Sequence, residues 1–134
     1  MTADADEVRV ITLDADCPEL PLIEAGQGAG GRAVALVWPG TGATLRSMHH
    51  FLLEAGGRTV TQRHPGEAVY FVKSGAGTVT DPDAGSTDPL ITGSMILVEP
   101  GTAYAFTAGE EGMELLGGPS PHDPALYAHL TKAA

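Results

Sequence analysis

The chain has 134 residues, among them eighteen glycines, ten prolines and one cysteine, and carries a formal net charge of −10. That length supports one domain (residues 1–134) with a hydrophobic core of its own. Seven Lys and Arg against 17 Asp and Glu leave no basic patch for nucleic acid or for an anionic membrane surface. Cys17 stands alone, so an internal disulfide is excluded and a reducing, cytoplasmic setting is expected. No run is long enough to span a membrane, and the acidic start from Thr2 to Glu7 has neither the basic nor the apolar part of a signal peptide.

In chain order, Val8 to Leu13 alternates apolar and polar side chains and is predicted as a first strand at an edge. Asp14 to Gly31, with Pro18 and Pro21, is a long irregular connection, expected as a mobile flap or as an arm lying on a neighbouring subunit. Arg32 to Trp38 is a compact apolar strand closed by the turn Pro39-Gly40-Thr41-Gly42. Thr44 to Glu54 follows as a strand centred on Met48-His49-His50-Phe51. A hairpin comes next: Arg58 to Gln62, a turn at His64-Pro65-Gly66, Ala68 to Lys73, then a glycine turn. Short strands are expected at Thr78–Thr80, Leu90–Ile91, Ser94–Val98, Ala103–Thr107 and Met113–Leu116, separated by turn chemistry such as Asp81-Pro82-Asp83-Ala84-Gly85. Asp123-Pro124 is a helix start, with a capping side chain and a proline in the first turn. Leu126 and Leu130 then share one helical face. About nine strands at roughly even spacing is the pattern of an all-β sandwich or barrel.

Two glycine frames sharpen this. Gly56 or Gly57 opens a stretch in which His64 is followed by Gly75; Gly93 opens a second that runs through Glu99-Pro100-Gly101 to Tyr104. In these frames the chain resembles a small single-domain cupin, a double-stranded β-helix or jelly-roll barrel, over a core of about 32–118. Residues 1–31 then form an N-terminal arm, and residues 119–134 a C-terminal loop and short helix. The resemblance implies a cavity inside the barrel and a divalent transition metal held by two histidines, a glutamate and a later histidine. Carried onto this sequence, those positions are Gln62, His64, Ala68 and Tyr104. One imidazole with an amide and a phenol is a poor donor set for Fe(II), Zn(II) or Mn(II). Glu67 sits one residue from the ligand position, and on a strand that puts it on the opposite face. No cofactor is therefore expected; if a metal binds, its ligands would be His64 with Gln62 and His49 or His50.

The catalytic candidates are His64, Tyr104, Tyr70 and His50. His64 sits at the barrel mouth in its frame, and Tyr70 shares a face with Ala68 and so points inward. His49 and His50 face opposite ways, and the sequence leaves open which is inside. Substrate-binding candidates are Gln62, His49, Arg46, Phe106 and Trp38: an amide and an imidazole for polar groups, a guanidinium for a carboxylate, two rings for the wall. Arg63 is expected in a surface ion pair, and His122 in an exposed loop that folds over the pocket. A phenol near its ordinary pKa of about 10 is a better acid than base at neutral pH. The leading reading is an isomerase, cyclase or lyase acting on a small molecule by acid–base chemistry. The alternatives are a dioxygenase or lyase with an atypical metal site, and a small-ligand-binding barrel that catalyses nothing. A homodimer, joined through an edge strand or the N-terminal arm, is expected in each case.

Overall fold

The computed structural model describes residues 7–24 and 30–131. Among them six strands form, β1 (Gly31–Val37), β2 (Met48–Leu53), β3 (Glu67–Asp81), β4 (Ser86–Ile91), β5 (Met95–Val98) and β6 (Ala105–Ser120), followed by a 3-10 turn (Pro124–Tyr127) and a short helix α1 (Ala128–Thr131). All pairings are antiparallel. The order is β1-β2-β6-β3-β4, with β5 also on β3. No helix among the described residues is long and apolar enough to cross a membrane.

Six strands form where about nine were expected, in part because two turns do not turn. The glycines at 75 and 77 lie inside β3, and those at 109 and 112 lie inside β6. At the first site the β3–β6 register slips twice, between Val72 and Ser74 and between Gly75 and Gly77. Such bulges bend a strand without ending it. Gly75 has φ +87°, and a Cβ there would stand 2.2 Å from the carbonyl oxygen of Gly112, itself at φ +79°. Only glycine allows the two chains to come so close in the bend. Beyond it, β3 changes partners: Ala68–Phe71 pair with β5, and Ala76–Asp81 pair with β4. The two long strands thus bend together and link every other strand into one sheet that curls around the core.

Three further expectations are corrected. Val8 to Leu13 forms no ladder; Val8 and Val10 are 82% and 87% exposed. Arg58 to Gln62 is extended but makes only isolated bridges, to Ile23 on one side and to Thr107 and Tyr104 on the other. Its backbone groups are shared between the arm and the barrel, so no continuous ladder develops. The described part of the arm lies along β1 of its own chain: Glu19 bridges Val34, Leu20 N–H donates to Ala33 at 2.8 Å, and Leu20 and Leu22 are buried. Burying those two leucines supplies about 1.5–3 kcal/mol each. The part of that connection at residues 25–29 lies outside the described residues. β2 begins at Met48, four residues later than expected. The C-terminal helix start is as read, with the Asp123 side chain accepting from Ala125 N–H at 3.1 Å.

The core follows the two-residue period of the strands. Ala68, Tyr70 and Val72 point in; Glu67, Val69, Phe71 and Lys73 point out. Tyr70 meets Phe106 at 4.9 Å between centroids and Phe51 at 5.9 Å, both edge to face. Aromatic pairs prefer that geometry because ring edges are positive and faces negative.

Candidate active site

Paired strands bring the motif residues together. Gln62 exchanges two backbone hydrogen bonds with Tyr104, at 2.8 and 2.9 Å. His64 is fixed by its carbonyl, which accepts from Gly101 N–H at 2.8 Å. Gln62, His64, Tyr70 and Tyr104 are all buried and face one interior. Phe106 is buried beside them, wall rather than ligand contact.

The pairing of β2 with β6 decides between the adjacent histidines. His49 points into the barrel, with Nε2 2.7 Å from the Tyr127 hydroxyl. His50, expected in the catalytic group, turns to the outer face and bonds Glu114 at 2.6 Å. There it holds the Glu114 carboxyl below its ordinary pKa. Neither catalysis in the cavity nor a place in a metal set with His64 is open to it. Arg46 is exposed on the outside, in a groove with Met48, Glu67 and Val69, and cannot reach a ligand in the barrel. Arg63 makes the expected surface pair, 2.7 Å from Asp83. Trp38 is half-buried at the mouth, its ring 5.1 Å from that of Tyr127.

Two residues that the sequence reading passed over complete the site. Asp123 was read only as a helix cap, yet its second carboxylate oxygen lies 2.7 Å from His64 Nδ1. Tyr127 sits under the C-terminal turn, beside the Leu126 and Leu130 that define its apolar face. With Tyr70 and Tyr104, it places all three tyrosines of the chain in this one region.

The groups form a continuous hydrogen-bonded line. Asp123 accepts from His64 Nδ1–H. His64 Nε2 is 3.0 Å from the Gln62 side chain, Gln62 also bonds Tyr70, and the Tyr70 and Tyr104 hydroxyls bond each other at 2.5 Å. With the amide oxygen of Gln62 toward His64, its nitrogen is left buried without a partner. Turning the near-isosteric amide over lets N–H donate to His64 Nε2 and lets the oxygen accept from Tyr70.

Burial shapes the acidities. It pushes both Tyr70 and Tyr104 well above the ordinary phenol range, and for Tyr104 the neighbouring Tyr70 adds to the shift. Burial likewise pushes Tyr127 up to about 12. The His49 imidazole is lowered from 6.5 to about 4, first by burial and then by His64. At neutral pH the site holds three protonated phenols and a neutral His49.

The architecture can now be compared with known structures. The polyketide cyclase RemF from Streptomyces resistomycificus superposes with a TM-score of 0.67 at 21% identity, covering 87% of this chain and 82% of that one. An RmlC-like cupin from Shewanella frigidimarina gives 0.62 at 18% identity, covering 85% and 92%. The fold is that of a cupin. Salicylate 1,2-dioxygenase from Pseudoaminobacter salicylatoxidans also matches, at 28% identity and a TM-score of 0.58, over 81% of this cupin but 29% of the larger enzyme. The cupin neighbours thus include enzymes of different kinds. No family model and no curated protein sequence matches the chain.

The metal that the cupin fold implies does not fit the residues present. At the glutamate position stands buried Ala68. Tyr104, at the later histidine position, is bonded to Tyr70, and Gln62 stands at the first histidine position. Among the described residues no three His, Cys, Asp or Glu side chains are grouped to hold an ion.

Proposed function

We propose that this cupin moves protons on a small organic substrate in its barrel interior, as an isomerase, cyclase or lyase, with His64 as base and the Tyr70–Tyr104 pair as acid. The observation that carries this reading is the line from Asp123 through His64 to the two phenols. Asp123 fixes the Nδ1–H tautomer and would stabilise the imidazolium once Nε2 has taken a proton from a carbon beside a substrate carbonyl. The electron pair moves onto the carbonyl oxygen, where a buried hydroxyl of Tyr104 or Tyr70 donates to the developing oxyanion. Their raised pKa values keep both phenols protonated at neutral pH, so they offer the oxyanion a hydrogen bond and retain the proton. His49, neutral and 2.7 Å from Tyr127, lines the entrance.

The test is deuterium uptake from D2O into a panel of small β-dicarbonyl compounds, read by NMR. His64→Gln is expected to slow exchange about 10²–10⁴-fold, the usual contribution of general base catalysis. Exchange indifferent to His64→Gln would refute the assignment. Metal analysis of protein purified without chelator is the second arm. Stoichiometric transition metal lost on His64→Ala would replace this reading with a metal-dependent one.

We further propose a homodimer formed by the outer sheet face. Registers place Val69 beside Leu97, and Phe71 between Met95 and Leu116, in rows that cross β5, β3 and β6. Met95 and Leu97 are each 64% exposed. Contiguous exposed apolar side chains of this kind mark interaction faces. In a chain of net charge −10, the apolar rows between Glu67 and Lys73 are where a second copy meets the least repulsion.

A further inference from the structure

Strand register opens a second approach to the barrel interior, away from the C-terminal turn. Residues directly opposite on paired strands share a face of the sheet. Val79 lies opposite buried Phe106 on β6 and opposite Asp88 on β4, so the Asp88 side chain is on the inner face. Asp81, two residues past Val79 on β3, is on that face too. On β5, Ile96 and Val98 lie opposite Tyr70 and Ala68 and are buried with them. Among these inner-face residues runs a groove of about 380 Å³, bounded by the β3–β4 hairpin on one side and by β5 and the loop after it on the other. Buried Tyr104, one of the two phenols of the acid pair, belongs to its floor. The groove shares no residue with the C-terminal turn, so a ligand in it leaves Asp123 on His64 and Tyr127 on His49.

The charge on this opening has one sign. Asp81, Asp88 and Glu99 line it, and among the described residues no Lys, Arg or His does. None of the three carboxylates is in an ion pair among the described residues. One oxygen of Asp81 caps the hairpin, accepting from Asp83 N–H and Ala84 N–H. Arg63 does not neutralise the groove, because its guanidinium is spent on Asp83 and on the Gly101 carbonyl, each at 2.7 Å. Alternation on β4 makes Asp88 the inner-face neighbour of buried Leu90, a place where a strand ordinarily carries an apolar side chain. Like charges along a cleft with apolar walls focus the field and concentrate the opposite ion there. The apolar walls are Ile96 and Val98.

We infer that this groove is the substrate's way in and that the substrate is a cation, an ammonium-bearing carbonyl compound. Its carbonyl is directed to Tyr104 at the floor, and its ammonium stays beside Asp88 and Glu99 at the rim. Those two carboxylates determine specificity: a substrate of the same shape that ends in a carboxylate meets like charge at the groove and across a chain of net charge −10. This inference rests on the barrel interior being the active site and adds the substrate class.

The experiment uses three ketones of one skeleton that differ in charge: 4-(aminomethyl)acetophenone, 4-(hydroxymethyl)acetophenone and 4-acetylbenzoate. Binding is read from the amide NMR shifts of Ile96, Val98 and Thr102 in wild type, Asp88→Asn, Glu99→Gln and the double variant. Both side chains are exposed, so neither substitution disturbs the core. The amine is expected to bind wild type about tenfold more tightly than the alcohol, and the benzoate more weakly than either. Each single variant should narrow the amine's advantage and the double variant should erase it. Equal binding of amine and alcohol, an advantage that survives in the double variant, or binding of none of the three overturns the inference. Deuterium exchange into the methyl group of the same ketones keeps this result apart from the acid–base reading. Exchange that needs His64 but ignores the charge of the ring substituent sinks the substrate class alone. Charge-selective binding with no His64-dependent exchange sinks the acid–base reading and keeps the groove as a cation site.

Discussion

His49 should make this protein acid-sensitive, and the size of the effect can be worked out. The imidazole is fully buried and its pKa falls from 6.5 to about 4, through burial first and the neighbouring His64 second. Native His49 therefore stays neutral where the unfolded chain would protonate it. Above pH 6.5 the two states bind the same protons, and nothing is lost. As pH falls from 6.5 toward 4, the unfolded state gains a proton that the native state refuses, so stability declines with each step. The linkage integral gives a loss of about 2 kcal/mol by about pH 5 and about 3 kcal/mol in full. The assay is urea unfolding at about pH 7.5 and about pH 5, where 2 kcal/mol moves the midpoint by roughly 1 M. The control is His49→Gln, whose amide can still reach Tyr127 but does not titrate. Changes common to both proteins, such as partial neutralisation of the acidic surface or of Glu114 beside His50, cancel in the comparison. If the two midpoints fall by the same amount, the buried-neutral assignment for His49 is wrong.

Two further outcomes test the interior and the surface. Tyr70→Phe and Tyr104→Phe each strand a buried hydroxyl and should cost about 1–3 kcal/mol apiece. The double variant should be less destabilised than the sum by about 1 kcal/mol in denaturant unfolding, and strict additivity would show that the two phenols do not interact. Leu97→Glu and Phe71→Lys each place a charge on the outer apolar rows. Either should shift sedimentation from dimer to monomer at micromolar concentration with near-ultraviolet dichroism unchanged, whereas a monomeric wild type would rule out this interface.

The strand period and the two glycine frames were enough to put Gln62, His64, Tyr70 and Tyr104 on one interior face. These residues lie within short segments, and alternation fixes the direction of each side chain relative to its neighbours. The capping role of Asp123 was equally local and equally legible. Set in the motif frames of the family that the chain resembles, the donor positions are broken, since Ala68 and Tyr104 can be read there directly. What lay beyond the sequence was everything set by contacts between distant segments. Whether His49 or His50 faces inward depends on the β2–β6 register, which no count across Glu54 to Gly57 supplies. Gly75 and Gly112 could have marked turns; their close approach made them bends, and that joined strands which looked separate. The arm's two leucines folded onto the barrel because β1 offered an open edge. Tyr127 reached His49 across 78 positions, and Asp123 reached His64 across 59. Periodicity dies out within one element, and so the tertiary fold alone decided which residues meet at the mouth of the barrel.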